Sequence, residues 1–246
     1  MTPVADRRLY LCTPDRPDLA SFVSACIAGG VDIVQLRDKH LEARPLLERA
    51  ALVGAVCAEA GVPFILNDRP DLALEAGAAG VHVGQDDAPV ALARRILGAD
   101  AIIGLSTHDP DDLARAMAMA IGSGPGGLSY ISAGPVEATP TKPGRPGTGL
   151  AYLMQATAAA VAAGIPVFVT GGVTPEKIPL LARAGARHFV VVRYLTEAAD
   201  PRGAARALRD ALDTALGAGG GEDVGGVSGW PSSNPGGWGG GTRRRR

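Results

Sequence analysis

This sequence has few cysteines and few aromatic residues, and its positive and negative charges nearly balance. Its 246 residues include three cysteines, 4% aromatic residues and a formal net charge of −1. Three scattered cysteines suggest neither a disulfide framework nor a cysteine-rich zinc site, and the balanced charge gives no reason to expect nucleic acid or an anionic membrane as partner. No stretch approaches the roughly 20 apolar residues of a transmembrane helix, and the N-terminus lacks the apolar run of a signal peptide. The sequence therefore predicts a cytoplasmic protein.

The chain changes character near residue 217. It is 46% hydrophobic overall, which is enough to fill the core of a single domain over residues 1–216. Residues 217–246 are glycine-rich, have no apolar periodicity and end in four arginines. Such a segment cannot bury enough surface to offset the entropy of ordering it, so we predict a disordered tail. An alternative is that the arginines bind an acidic partner weakly.

Short β-rich runs alternate with helix-length segments throughout residues 1–216. The strand candidates are "RLYLCT", "DIVQLRD", "PFILND", "GVHVGQ", "AIIGLST", "LSYISAG", "PVFVTGG" and "HFVVVRY". Alternation of this kind is typical of parallel strands covered by helices, and eight units match a (β/α)8 TIM barrel, with a doubly wound open sheet as the alternative. Asp18, Asp109 and Asp200 are predicted to cap helix starts, and Gly61 to end a helix.

Polar residues recur at the C-terminal ends of successive strand candidates, where barrel active sites lie. Asn67, Asp68 and Asp87 offer hard oxygen ligands, which suit Mg²⁺ held by one or two carboxylates, waters and substrate phosphates. The cations suited to phosphate oxygens are Arg37, Lys39 and Lys142. Taken singly, each aspartate could start a turn or cap a helix, and the loop after the sixth strand could be an ordinary surface loop. Together these groups predict a site for a pyrophosphate or a phosphate ester.

The stretch "VQLRDK" suggests how one strand brings such groups into a barrel. Side chains on a strand alternate between its two faces. Val34 and Leu36 are therefore predicted to face the helices. Gln35, Arg37 and Lys39 share the other face, which leads from the interior to the mouth. We expect this face to converge in one cleft with the metal-type carboxylates and the loop lysine.

No combination of residues indicates a protein nucleophile. His82 lies inside "GVHVG", where the apolar context predicts packing rather than catalysis. His108 follows the fifth strand, and a binding role and a place beside a helix cap explain its position equally well. No Ser/His/Asp or Cys/His arrangement is recognisable. The chemistry predicted here relies on charge rather than on a covalent intermediate.

Six motifs carry a resemblance to a known family. In chain order they are "QLRDK", "ILND", "GVHVGQDD", "IGLSTH", "GPVEATPTK" and "VTGGVTP". Together they resemble thiamine-phosphate synthase, and the resemblance covers residues 8 to 213. The family implies a TIM-barrel transferase that joins hydroxymethylpyrimidine diphosphate to a thiazole phosphate, or to its carboxylated form. Pyrophosphate leaves with the help of Mg²⁺ in a dissociative, carbocation-like substitution. The implied partners are these small molecules, and the sequence leaves open whether the chain forms a homo-oligomer.

The resemblance implies a role for each matching position. Asp68 and Asp87 match the two metal-binding carboxylates. The substrate-binding positions are matched by Gln35, Arg37, Lys39, Asn67, Ser106, Thr139, Thr141, Lys142 and Gly172. Within that set, the cations Arg37, Lys39 and Lys142 are implied to act in catalysis on the departing diphosphate, and the glycine belongs to the thiazole-phosphate site.

Two positions depart from the family pattern. Glu137 stands where an aromatic residue is usual, and Arg193 stands where the last strand often ends in a serine. Two other functions are compatible with parts of the pattern. A thiazole tautomerase would bind similar phosphates without the complete metal and diphosphate set, and a non-catalytic barrel would bind thiamine precursors and signal through its arginine-rich tail.

Overall fold

The chain forms a closed ring of eight parallel strands surrounded by helices. The computed structural model describes residues 3–122, 127–139 and 146–217. Each strand pairs in parallel with its neighbours in chain order, and the last strand closes the ring against the first. The strands are β1 Leu9–Thr13, β2 Ile33–Leu36, β3 Phe64–Asn67, β4 Gly80–Val83, β5 Ile102–Thr107, β6 Tyr130–Ala133, β7 Val167–Val169 and β8 His188–Val191. The barrel prediction is confirmed, and closure of the ring excludes the open sheet.

Helices connect the strands on the outside of the ring. They are α1 Leu19–Ala28, α2 Ala43–Ala60, α3 Pro70–Glu75, α4 Val90–Leu97, α5 Pro110–Gly122, α6 Gly149–Ala163, α7 Ile178–Arg183, α8 Arg193–Thr196 and α9 Pro201–Gly217. The single turn α8 is inserted between β8 and the closing helix α9. Among the described residues, no helix is both long and apolar enough to cross a membrane. The predicted tail, residues 217–246, lies outside the described residues apart from Gly217, the last residue of α9.

Three of the four predicted helix boundaries have the expected chemistry. Gly61 ends α2 with a φ of 64°, the left-handed conformation that glycine adopts without strain. The carboxylates of Asp109 and Asp200 each accept a hydrogen bond from the backbone N–H three residues further on. Asp18 stands at the N-cap position of α1, as predicted, but its side chain accepts no hydrogen bond from the helix. The guanidinium of Arg16 binds that carboxylate instead.

Apolar side chains fill two layers. The outer layer lies between strands and helices, and Val34 and Leu36 of β2 belong to it, both completely buried. The inner layer fills the barrel and includes Ile33, Tyr10 and Tyr130. β2 therefore directs one face toward the helices and the other into the barrel, as the alternation predicts. Its inner face continues upward from Ile33 to the open end of the barrel, where the polar residues lie.

Candidate functional site

A cavity of about 520 Å³ opens at the C-terminal ends of the strands. All eight strands, or the loops that follow them, contribute to its walls. Its floor is formed by side chains of the inner barrel layer, and its rim by charged residues of the loops. In a TIM barrel this end is the place where active sites are built.

The cavity collects every predicted site residue that the structure describes. Those residues are Gln35, Arg37, Lys39, Asn67, Asp68, Asp87, Ser106, Thr139 and Gly172. Thr141 and Lys142 lie outside the described residues. Gln35, Arg37 and Lys39 therefore share one cavity with the two carboxylates, as expected. That the loop lysine joins them stays a prediction.

The β2 side of the cavity differs in one respect from the sequence interpretation. β2 ends at Leu36, so Arg37 and Lys39 belong to the loop after the strand rather than to the strand itself. The amide of Arg37 still donates to the Thr13 carbonyl at 2.8 Å, which extends the parallel pattern by one residue. Below it, Gln35 Nε2 donates to Asn67 Oδ1 at 2.6 Å, and this bond fixes both buried amides. Among the described residues, no acid forms an ion pair with Arg37 (the salt bridges all involve other side chains).

The carboxylate side of the cavity is formed by the loops after β3 and β4. Lys39 Nζ lies 2.8 Å from Asp68 Oδ2. Asp68 has a φ of 63°, a left-handed conformation that is uncommon for a residue other than glycine. Asp87 accepts a hydrogen bond from the Gly84 N–H at 2.8 Å, and α4 begins only at Val90, so this carboxylate does not cap the helix.

The carboxyls of Asp68 and Asp87 influence each other, and their pKa values shift in opposite directions. Burial, together with the neighbouring Asp87, raises the pKa of Asp68 despite the cation of Lys39. Burial also acts to raise the pKa of Asp87, but hydrogen bonds with Asp68 and the Gly84 N–H lower it overall. Within the described residues no group of three or more His, Cys, Asp or Glu side chains is arranged to hold a metal ion. Two carboxylates beside Asn67 are a set that could hold an ion that takes its remaining ligands from water and substrate.

The floor of the cavity is a buried hydrogen-bonded network that the sequence did not reveal. The Tyr130 hydroxyl is 3.0 Å from that of Tyr10 and 2.9 Å from His82 Nδ1. His82 Nε2 is 3.0 Å from Ser106 Oγ, which also accepts from Ser132 Oγ at 3.3 Å. The prediction that His82 is packed is correct, and the residue lines the cavity as well. The stretch "SYIS" could have indicated part of this network, because strand alternation places Tyr130 and Ser132 on the same face.

The loops after β6 and β7, loops six and seven, form the opposite wall of the cavity. The Val136 N–H donates to the Thr170 carbonyl at 2.8 Å, so the two backbones touch. Gly171 and Gly172 have φ values of 98° and 73°, and a Cβ on the first would lie 2.6 Å from Pro135 Cα. Only glycine fits this close approach.

Glu137 and Arg193 are the two positions that depart from the family pattern. The Glu137 carboxylate pairs with Lys177 across loops six and seven. A Cβ on Gly172 would lie 2.7 Å from Glu137 Oε2, so the carboxylate covers the glycine turn. Arg193 is the first residue of α8 and lines the cavity, rather than ending the last strand.

A closed (β/α)8 barrel with a charged cavity at its C-terminal end is the architecture of a barrel enzyme. Comparison with known proteins identifies which kind. A family model described as thiamine monophosphate synthase matches residues 9–195. The chain is 46% identical to a thiamine-phosphate synthase of Arthrobacter over 85% of this chain and 96% of that protein. It is 45% identical to one of Mycobacterium bovis over 86% of this chain and 97% of that protein.

A solved structure agrees with the sequence relatives. The thiamine phosphate pyrophosphorylase of Pyrococcus furiosus superposes with a TM-score of 0.74 at 26% identity, covering 86% of this chain and 98% of that one. The chain therefore belongs to the thiamine-phosphate synthase family and is an enzyme of the transferase class. The resemblance carried by the six motifs is confirmed at the level of the family.

Proposed function

We propose that this chain joins hydroxymethylpyrimidine diphosphate to a thiazole phosphate, or to its carboxylated form, giving thiamine phosphate and pyrophosphate. The observation that carries the proposal is that Arg37 lines the cavity beside the Lys39–Asp68 pair and has no acidic partner among the described residues. An unneutralised guanidinium next to carboxylates suits a diphosphate that arrives with a divalent ion. We place the reaction in the cytoplasm, as the composition predicts.

Asp68 and Asp87 are the residues that would hold Mg²⁺, with Asn67 beside them. Their carboxyls crowd each other, which contributes to the raised pKa of Asp68. A divalent cation relieves this crowding, so the donor set fits the ion. When bound, Mg²⁺ supplies positive charge that polarises phosphate oxygens.

The residues of β2 and its loop would hold the diphosphate. The guanidinium of Arg37 can bind two phosphate oxygens as a fork, and Lys39 acts as a mobile point charge. As the methylene C–O bond breaks, its electron pair leaves with the pyrophosphate, and these cations stabilise the growing charge. Preorganised charge of this kind typically contributes roughly 3–4 kcal/mol per donor to lowering the barrier. Lys142 is predicted to act in the same way.

The floor of the cavity suits the pyrimidine ring. The rings of Tyr130 and His82 are stacked, with centroids 5.5 Å apart, and they offer an aromatic surface with polar atoms. Once the methylene carbon carries positive charge, the thiazole nitrogen donates its lone pair and forms the C–N bond. No protein nucleophile is required.

The acceptor would lie between this floor and loops six and seven. Gly172 and Thr139 line that side of the cavity, and the glycine turn allows a substrate to approach the backbone closely. Ser106, on the floor, is proposed to contact the diphosphate. The roles of Thr141 and Lys142 remain predictions.

Release of pyrophosphate tests the proposed function directly. The full chain is incubated with both precursors, with each precursor omitted in turn, and with Mg²⁺ replaced by a chelator. We expect pyrophosphate only when both precursors and Mg²⁺ are present. Conversion of the thiazole phosphate without the pyrimidine would indicate a tautomerase, and binding without release would indicate a non-catalytic barrel.

A further inference from the structure

The outer face of α6 lacks the charges that the other long helices carry. Residues Gly149–Ala163 contain no Asp, Glu, Lys or Arg, whereas α2 and α9 have charged residues at exposed positions. An outer helix of a barrel normally presents charged and polar side chains to water. On α6 the exposed positions form an uncharged face that consists of Ala151, Met154, Gln155, Ala158, Val161 and Ala162. The side chains of Met154 and Val161 are 57% and 74% exposed.

The helix beside α6 covers only part of this face. α7 has six residues, and a Cβ on Gly185, just after α7, would lie 2.9 Å from Thr157 near the middle of α6. Residues 158–163 extend beyond this contact, and Val161 is the most exposed large hydrophobic residue in the described part of the chain. A contiguous exposed surface without charge is typical of a site that another group covers.

A hollow between α6 and α7 continues the uncharged face. It has a volume of about 210 Å³, and its lining includes Leu150, Leu180 and Leu181. Leu180 is 46% exposed, and the ion pair of Glu137 with Lys177 lines the hollow as well. Aliphatic side chains beside a cation suit an indole ring, which packs through its faces and attracts a cation to them.

Both tryptophans of the chain, Trp230 and Trp238, lie outside the described residues and beyond α9. Residues 1–217 contain no tryptophan, so "WPSSNPGGW" holds all of them in a stretch that is otherwise small and polar. Segments that bury nothing usually contain few aromatic residues. Each tryptophan can bury about 150–250 Å², and the composition around these two provides no core for them. They therefore need an apolar surface elsewhere.

The end of α9 brings this segment within reach of α6. α9 packs against α7, and α7 is followed by the contact with Thr157 of α6. Neighbouring helices lie about 8–10 Å apart, so α6 is roughly 20 Å from α9. A glycine-rich chain has a root-mean-square span of roughly 20 Å from Gly217 to Trp230 and roughly 25 Å from Gly217 to Trp238. Both tryptophans can therefore reach the α6 face of their own barrel.

We infer that the segment after Gly217 folds back on its own barrel, where Trp230 and Trp238 cover the uncharged α6 face and the hollow beside α7. Contact through two side chains fixes few residues, so its entropic cost is small compared with ordering the whole segment. Because the tryptophans are linked to the barrel, they meet this face at a higher effective concentration than a partner in solution. The inference is independent of the proposed function.

Tryptophan fluorescence of the full chain tests this inference, because only the segment after Gly217 contributes to it. In the wild type we expect emission at a shorter wavelength than that of free tryptophan amide, and protection from quenching by acrylamide. The double variant Met154→Gln, Val161→Gln changes two exposed side chains and does not lower the helix propensity. Its quenching constant should rise about twofold or more, as expected when at least half of the indoles are covered in the wild type.

Leu52→Gln is the matched control for the α6 variant. Leu52 is 42% exposed on α2, which lies two helices from α9 on the other side of the ring, through α1. Unlike α6, α2 carries exposed charges, at Arg44, Glu48 and Glu59. We expect Leu52→Gln to match the wild type in emission and quenching. Urea unfolding followed by circular dichroism checks that each variant is folded.

Two further measurements separate this contact from its alternatives. Protection of the indoles should be independent of protein concentration, as an intramolecular contact requires. Protection that grows with concentration, together with dimers in sedimentation velocity, would assign the face to a second copy. A variant with glutamine in place of the four C-terminal arginines should keep the wild-type protection, and its loss would mean that charge holds the segment. Either result, or equal quenching of the wild type and the α6 variant, would overturn the inference.

Discussion

Asp68→Asn removes one charge from the carboxylate side of the cavity and preserves its shape. Asp68 has a φ of 63°, and asparagine is among the few residues that adopt this conformation routinely. Alanine at this position would add about 1–2 kcal/mol of backbone strain, so a loss of activity in that variant would be ambiguous. The asparagine variant therefore changes the chemistry of the proposed metal ligand with the smallest change in structure.

The expected effects on stability and on activity differ widely in size. The Lys39–Asp68 pair is partly exposed, at 47% and 20%, so losing it costs about 1 kcal/mol or less. Removing the charge also ends its repulsion with Asp87, which offsets part of this cost. The loss of a charge that holds Mg²⁺ should instead lower kcat roughly 100- to 1,000-fold, as expected for one charge-stabilising group. It should raise the Mg²⁺ concentration needed for half-maximal rate by about tenfold or more.

Pyrophosphate release over a Mg²⁺ titration, with urea unfolding alongside, measures both quantities. Asp86→Asn is the matched control, because Asp86 is an exposed carboxylate that lines the same cavity and has no ion pair among the described residues. We expect that variant to stay within about threefold of wild type, since it removes the same charge without removing a proposed ligand. A wild-type Mg²⁺ dependence in Asp68→Asn, or an equal loss in Asp86→Asn, would refute the metal assignment.

Two further predictions concern the acceptor wall and the base of the barrel. Glu137→Gln removes a negative charge beside Gly172 and should lower KM for the thiazole phosphate about two- to fivefold at low salt, whereas Lys177→Gln should raise it. Burial lowers the pKa of His188 in the folded state. As pH falls below about 6.5, the unfolded chain takes up the proton first, so stability drops by up to about 1.4 kcal/mol per pH unit. His188→Asn keeps an N–H donor, and its unfolding free energy in urea should fall less steeply from pH 7 to 5.

Each of these two predictions has an outcome that would contradict it. A KM that moves in the same direction in both loop variants would mean that the ion pair orders the loops and that its separate charges do not act on the substrate. Parallel pH profiles for wild type and His188→Asn would mean that the histidine titrates alike in the folded and unfolded chains. Thermal unfolding of each variant at pH 7 provides the control for folding.

Local sequence patterns are enough to predict the barrel. The site could be predicted only in part, because some of its contacts join residues on strands that are far apart in the sequence. The alternation of β-rich and helical runs predicts eight units, and the division of the β2 side chains between the outer and inner layers follows from its own sequence. The Tyr10–Tyr130–His82 network could not be predicted in this way. Its members are 120 and 48 residues apart, so their contact depends on barrel register rather than on neighbouring residues. The missing side-chain bond of the N-cap residue Asp18 has a similar cause, since the competing arginine is not part of the capping pattern.

The end of β2 shows where strand alternation stops positioning the site residues. Strand alternation accounts for Gln35, and through one more backbone bond for Arg37, but it does not extend to Lys39. Asp38 sets the path of the chain beyond the strand, because its carboxylate accepts hydrogen bonds from the N–H groups of His40 and the next residue, at 2.9 and 3.0 Å. This side-chain turn ends the strand and directs Lys39 sideways toward the loop after β3, where it meets Asp68. Lys39 and Asp68 thus come together through a turn in the loop, and Asp38, which alternation would assign to the helix-facing side, has a part in positioning the cation.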